Sequence, residues 1–121
     1  MTPETLWRRY AAIWSLDAEN RAAELTACLA ADASYCDPNG PIVGRDALSD
    51  YMGGFRDRVP GGRFEIRSVL HHHDRSIANW SLHAASGEVL QTGTSFGLLS
   101  GDGRLRTISG FFYPQGRDEA A

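Results

Sequence analysis

Asp37 is the acidic residue whose place in the sequence best suits proton-transfer chemistry. Ala33, Tyr35 and Asp37 alternate with Ser34 and Cys36, as residues on one face of a β-strand do, and Pro38 starts a turn directly afterwards. A carboxylate at a strand end can project into the mouth of a pocket and act there as a general acid or base. The same position also suits an Asx turn, in which the carboxylate only accepts a hydrogen bond from the backbone that follows.

Three further polar or amphipathic residues on predicted strands are each open to two interpretations. Ser95 shares a nearly bare strand face with Gly93 and Gly97, which leaves room either for a ligand or for the backbone of another subunit. Trp80 lies on the apolar face of its strand, where it would form core or pocket wall, and His83 lies on the polar face. If that polar face lines a cavity, His83 is a second titrating group; otherwise it is an exposed or interface histidine.

The run His71, His72 and His73 before Asp74 raises the question of a metal site. Adjacent side chains of a strand point to opposite faces, so at most His71 and His73 could share an ion, and the run borders a predicted hairpin turn. A solvated turn is the better interpretation, and no metal is expected. No nucleotide or phosphate motif is present either, and all 12 basic residues are arginine, so lysine-based covalent chemistry is excluded and no cofactor is expected.

Length and composition indicate one ordinary globular domain. The chain has 121 residues, 42% hydrophobic and 22% charged, which is enough for one core. We expect a domain over residues 1–114 and a short charged tail over 115–121. The net charge of −3 with scattered arginines argues against nucleic-acid binding, and the absence of a long apolar run or a signal-peptide pattern predicts a cytoplasmic protein that does not enter membranes. Cys28 and Cys36 are interpreted as buried thiols without a chemical role.

The elements that position these residues follow from hydrophobic periodicity. Thr2 begins a first helix, residues 17–20 offer caps for a second helix that ends near Ala31, and a third helix spans 44–59. A short strand is predicted over 32–37, closed by a turn at 38–41. Four strands forming a meander are predicted over 63–72, 76–85, 89–100 and 104–114. This order indicates an α+β fold in which a bent antiparallel sheet wraps the helices.

A hydrophobic pocket is expected between the helices and the sheet. In such a fold the core and the pocket are continuous, so the inward apolar residues of both layers are candidates for the pocket wall. Beside Trp80 and His83, these are Trp14, Tyr35, Met52, Phe55, Phe96, Ile108 and Phe112.

Several segments in order resemble the SnoaL-like and ketosteroid-isomerase-like proteins of the nuclear transport factor 2-like superfamily. They are Arg9-Tyr10 on the first helix, residues 29–33 leading into 37–40, residues 44–48 opening the third helix, and residues 103–105 before the last strand. The resemblance covers nearly the whole chain. It implies a cone-shaped, cystatin-like α+β roll, with helices packed on a strongly curved, mostly antiparallel sheet.

The resemblance also implies roles for particular residues. Asp37 falls on the catalytic-base aspartate of the steroid isomerases and Tyr10 on their oxyanion-hole tyrosine, although Tyr10 also suits a plain core aromatic. Ser95 replaces their second, acidic donor and is a weaker one. The implied function is a cofactor-independent isomerase or cyclase that acts on a small hydrophobic carbonyl compound, in a homodimer. The alternative is a noncatalytic module of the same fold for ligand binding or dimerisation.

Overall fold

The computed structural model describes residues 1–113, which form three helices packed on one curved sheet of six strands. This confirms the predicted α+β class. The predicted tail at 115–121 lies outside the described residues. The helices are α1 (Pro3–Ile13), α2 (Ala18–Cys28) and α3 (Arg45–Arg58), and the strands are β1 (Leu29–Asp37), β2 (Gly40–Val43), β3 (Arg63–His72), β4 (Arg75–His83), β5 (Val89–Leu99) and β6 (Leu105–Phe111).

Side-chain caps start the first two helices where the sequence predicts them. The Thr2 hydroxyl accepts a hydrogen bond from the Thr5 amide at 3.1 Å, and Asp17 accepts one from the Asn20 amide at 3.0 Å. Helix α2 ends at Cys28, earlier than the predicted end near Ala31. Leu29 is already extended, with φ −118° and ψ 143°, and it pairs with Leu105 of β6, while the Arg45 guanidinium donates to its carbonyl at 2.7 Å.

The hairpin of β1 and β2 is the element that the sequence pattern does not predict. The pattern assigns Gly40 and Pro41 to the turn, but they pair with Asp37 and Cys36, so the connection is only Pro38 and Asn39. A proline is tolerated in β2 because this strand is at the edge of the sheet and needs no amide donor toward solvent. The tight hairpin brings Asn39 back beside the end of β1.

The sheet has the order β2-β1-β6-β5-β4-β3 and is antiparallel except between β1 and β6. Irregularities in register occur in the β3–β4, β4–β5 and β5–β6 pairs, and such bulges bend a sheet. The helices fill its concave side, where the fully buried side chains include Leu6, Ile13, Leu25, Met52, Leu105 and Ile108. Within residues 1–113, no helix combines the length and hydropathy that crossing a bilayer would need.

Candidate active site

An open cavity of about 1520 Å³ lies between the helices and the concave side of the sheet. Its wall is a continuous chain of aromatic contacts, with ring centroids 5.1 to 5.9 Å apart at each step. Such edge-on and offset ring packing gives a rigid apolar surface. From the end of β1 to the last strand, the members are Tyr51, Tyr35, Trp14, Phe55, Phe64, Trp80 and Phe112.

Asp37 is the one carboxylate among the described residues that line this cavity, and only 7% of it is exposed. Its Oδ2 atom accepts hydrogen bonds from the hydroxyls of Tyr35 and Tyr51, both at 2.7 Å. Tyr35 shares a strand face with Asp37 because the two residues are two apart in β1, whereas Tyr51 reaches it from α3. Two elements therefore fix the orientation of this carboxylate.

The other carboxylate oxygen of Asp37 closes the hairpin turn. Oδ1 accepts a hydrogen bond from the Asn39 amide at 2.8 Å, which is the Asx turn of the alternative interpretation. The Asn39 side chain also donates to the Tyr51 hydroxyl at 3.1 Å. The two interpretations of Asp37 are therefore compatible, because one oxygen caps the turn and the whole group lies on the cavity wall.

Tyr10 and Ser95 line the same cavity as Asp37. Tyr10 is 5% exposed and packs edge-on against Trp7, so it is a core aromatic that also borders the cavity. The Ser95 hydroxyl accepts a hydrogen bond from the Trp80 indole at 3.1 Å. Tyr10, Asp37 and Ser95 thus all line one cavity.

The tyrosines around Asp37 are held in their protonated form. Burial raises the pKa of Tyr10, Tyr35 and Tyr51, and the negative charge of Asp37 raises it further in all three. At neutral pH these hydroxyls are therefore hydrogen-bond donors. Tyr35 and Tyr51 use their protons to donate to Asp37.

The raised pKa values predict that this fold loses stability in alkali. Below about pH 10, the ordinary tyrosine value, folded and unfolded chains are both protonated and the stabilisation is complete. Above it, the unfolded chain releases protons that the folded chain retains, so the free energy of unfolding falls as pH rises. Urea unfolding between about pH 8 and pH 11 measures this fall. In the Tyr35→Phe variant the slope should be shallower; an unchanged slope would contradict the assignment.

The nearly bare face at Gly93, Ser95 and Gly97 turns inward, and tryptophan rings cover its glycines. A Cβ atom on Gly93 would lie 2.6 Å from Cη2 of the Trp80 ring, and one on Gly97 would lie 3.0 Å from Cζ2 of the Trp7 ring. The bare face thus provides space for Trp80 and Trp7 themselves, and not for the backbone of another subunit.

Four residues predicted for the pocket wall lie elsewhere. Met52 and Ile108 are fully buried core residues beneath the wall. Phe96 follows Ser95 in β5, and since successive strand residues face opposite ways, it lies on the outer face once Ser95 faces the cavity. His83 is also on the outer face, three residues from Trp80, where it contacts Ser81 at 2.9 Å.

Only His73 of the histidine run lies in the turn, since His71 and His72 are the last residues of β3. His73 has a positive φ of 53°, which brings its Nδ1 within 3.1 Å of the His72 Nδ1 instead of aligning it with His71. In the part of the chain that the structure describes, no group of three or more His, Cys, Asp or Glu side chains is arranged to hold a metal ion.

Tyr51 and Asn39 are the site residues that sequence reasoning does not find. Tyr51 falls within the predicted third helix and Asn39 within the predicted turn, and neither position by itself indicates a site. One sequence signal does exist, since Tyr51 and Phe55 are four residues apart and share a helix face directed at the cavity. The contact from Tyr51 to Asp37 itself depends on how α3 docks on β1, which no local pattern encodes.

Comparison with known proteins gives a consistent result. A structure of a proposed isomerase of the SnoaL-like family from Agrobacterium tumefaciens is 26% identical, with a TM-score of 0.86 over 93% of this chain and 99% of that one. A proposed ketosteroid isomerase from Kribbella flavida is 19% identical, with a TM-score of 0.70 over 96% and 81% of the two chains. A proposed polyketide cyclase from Sinorhizobium meliloti is 17% identical, with a TM-score of 0.70 over 88% and 93%.

At 19% and 17% identity, the similarity to the last two structures shows a shared fold and nothing more. No sequence among the curated proteins matches this chain. The sequence model of the SnoaL-like domain family matches residues 7–108, which is most of the chain and includes the whole of β1 and α3. The chain is therefore a member of the SnoaL-like family.

Proposed function

We propose that this protein binds a small hydrophobic carbonyl compound and moves a proton on it without a cofactor, as an isomerase or cyclase. The observation that supports this proposal most is the Asp37 carboxylate, held by three donors in an aromatic cavity. A carboxylate has about four lone-pair positions. Three are occupied, so Oδ1 retains one that can accept a proton from carbon.

The proposed step uses groups that already face the cavity. Asp37 removes a proton from the carbon next to the carbonyl, the electron pair of that C–H bond forms a C=C bond, and the π pair of the C=O bond moves to the carbonyl oxygen. Tyr10 donates a hydrogen bond to the resulting oxyanion, and Asp37 returns the proton at a second carbon. Ser95, a neutral hydroxyl already bonded to Trp80, assists by adding polarity to the wall.

The reaction class is supported by similar structures, which include a proposed isomerase and a proposed polyketide cyclase. The rival function is ligand binding without turnover in the same cavity. The two are separated by following the isomerisation of an activated β,γ-unsaturated ketone with the wild type and with Asp37→Asn. A rate above that of buffer for the wild type alone supports the proposal, and equal rates for both proteins contradict it.

A further inference from the structure

The charged lining of the cavity is unusual for a chain with a net charge of −3. Among the described residues, the charged side chains that line it are the buried Asp37 and two exposed arginines, Arg58 and Arg67. The rim therefore carries two positive charges over an aromatic interior with a single negative charge at depth. This arrangement is polarised, with cations at the solvent side.

Neither rim arginine is paired with a carboxylate among the residues that the structure describes. Within residues 1–113, Arg58 and Arg67 form no ion pair with a carboxylate, whereas Arg9, Arg75 and Arg104 each do. An arginine fork matches the two oxygens of a carboxylate, and such charge-assisted hydrogen bonds are among the stronger polar contacts. Within residues 1–113, both guanidinium groups thus keep their donors for an anionic group of a ligand.

Arg58 lies on the face of α3 that also carries Tyr51, which donates a hydrogen bond to Asp37. Tyr51, Phe55 and Arg58 are spaced four and three residues apart, so they share one face of the helix. The Arg58 side chain folds back along the helix, since its guanidinium would lie 3.3 Å from a Cβ atom on Gly54. Burial raises the pKa of Tyr51, and the positive charge of Arg58 opposes that rise, so its field reaches the inner site.

We propose that the ligand is an amphipathic carboxylic acid, whose anion binds Arg58 and Arg67 at the rim and whose apolar body enters the aromatic cavity. This inference rests on the proposed function and names its substrate class. Seven residues of helix separate Tyr51 from Arg58, a rise of about 10 Å. The acid group therefore binds toward the C-terminal end of α3, away from the carbonyl beside Asp37, and repulsion from Asp37 disfavours entry in the reverse orientation.

The test compares two probes with one skeleton, naphthylacetate and its neutral analogue naphthylacetamide, by calorimetric titration. The double variant R58Q/R67Q should bind the acid about tenfold more weakly than the wild type and the amide within about twofold. A second double variant, R56Q/R106Q, removes two exposed arginines outside the cavity and should leave both affinities unchanged. About 1 M salt should weaken binding of the acid alone.

Failure of this inference is distinguishable from failure of the proposed function. Absence of acid binding, an equal loss for acid and amide in R58Q/R67Q, or an equal loss in R56Q/R106Q would overturn the anionic substrate class. These are binding measurements that leave Asp37 intact, so none of them bears on proton transfer. Conversely, an inactive wild type that binds naphthylacetate through Arg58 and Arg67 would keep the ligand class and remove the reaction.

Discussion

The Asp37→Asn variant is expected to lose about 100-fold to 10 000-fold in kcat/KM for ketone isomerisation, the usual contribution of a positioned general base. Asparagine has nearly the same shape but cannot take a proton from carbon. KM should change little, since the aromatic wall from Trp14 to Phe112 remains in place. A variant within about twofold of the wild type would contradict the assignment.

The effect of Asp37→Asn on stability must be measured separately from its effect on the catalytic rate. Asp37→Asn replaces one accepting carboxylate oxygen with an NH₂ group. That group must face either the Asn39 amide or the two tyrosine hydroxyls, which all donate to the carboxylate in the wild type, so we expect about 1 to 3 kcal/mol of destabilisation. Urea unfolding measures this cost and sets the temperature for the kinetics. Asp57→Asn, an exposed acid of α3 outside the cavity, is the matched control and should change neither rate nor stability.

Gly93→Ala is expected to give the largest loss of stability from adding a single methyl group. Its Cβ would lie 2.6 Å from Cη2 of the Trp80 ring and 2.7 Å from the Phe111 carbonyl oxygen, which is backbone and cannot rotate away. Trp80 must then move and give up its hydrogen bond to Ser95. We expect a loss of about 2 to 3 kcal/mol in the free energy of unfolding.

Thermal and urea unfolding of Gly93→Ala, compared with Gly101→Ala, test this packing. A Cβ on Gly101 meets nothing within 4 Å, so its variant should be as stable as the wild type. The tryptophan fluorescence spectrum should also shift in Gly93→Ala, because the Trp80 indole leaves its buried position. Equal stability of the two alanine variants would show that the ring does not pack on β5 as described.

Local patterns are sufficient to predict the helix starts and one strand. A hydroxyl or carboxylate before a helical stripe is enough to place a cap, as at Thr2 and Asp17, and β3 has the predicted bounds of residues 63–72. Alternation along β1 also predicts correctly that Tyr35 and Asp37 share one strand face. These features depend on neighbouring residues only.

Contacts between distant segments account for what the sequence does not predict. The parallel pairing of β1 with β6 and the contact from Tyr51 to Asp37 depend on docking of elements far apart in the chain. One error is avoidable, because Ser95 and Phe96 are adjacent in a strand and cannot both face the cavity.

Proton transfer by Asp37 is tested most directly by deuterium exchange. A neutral ketone that fits the aromatic cavity is incubated in D₂O with the wild type or with Asp37→Asn, and loss of the signal from hydrogen next to the carbonyl is followed by NMR. This measurement detects removal of the proton whether or not a product forms. We predict exchange faster than in buffer with the wild type and exchange at the buffer rate with Asp37→Asn. Equal exchange with both proteins would contradict the role of Asp37.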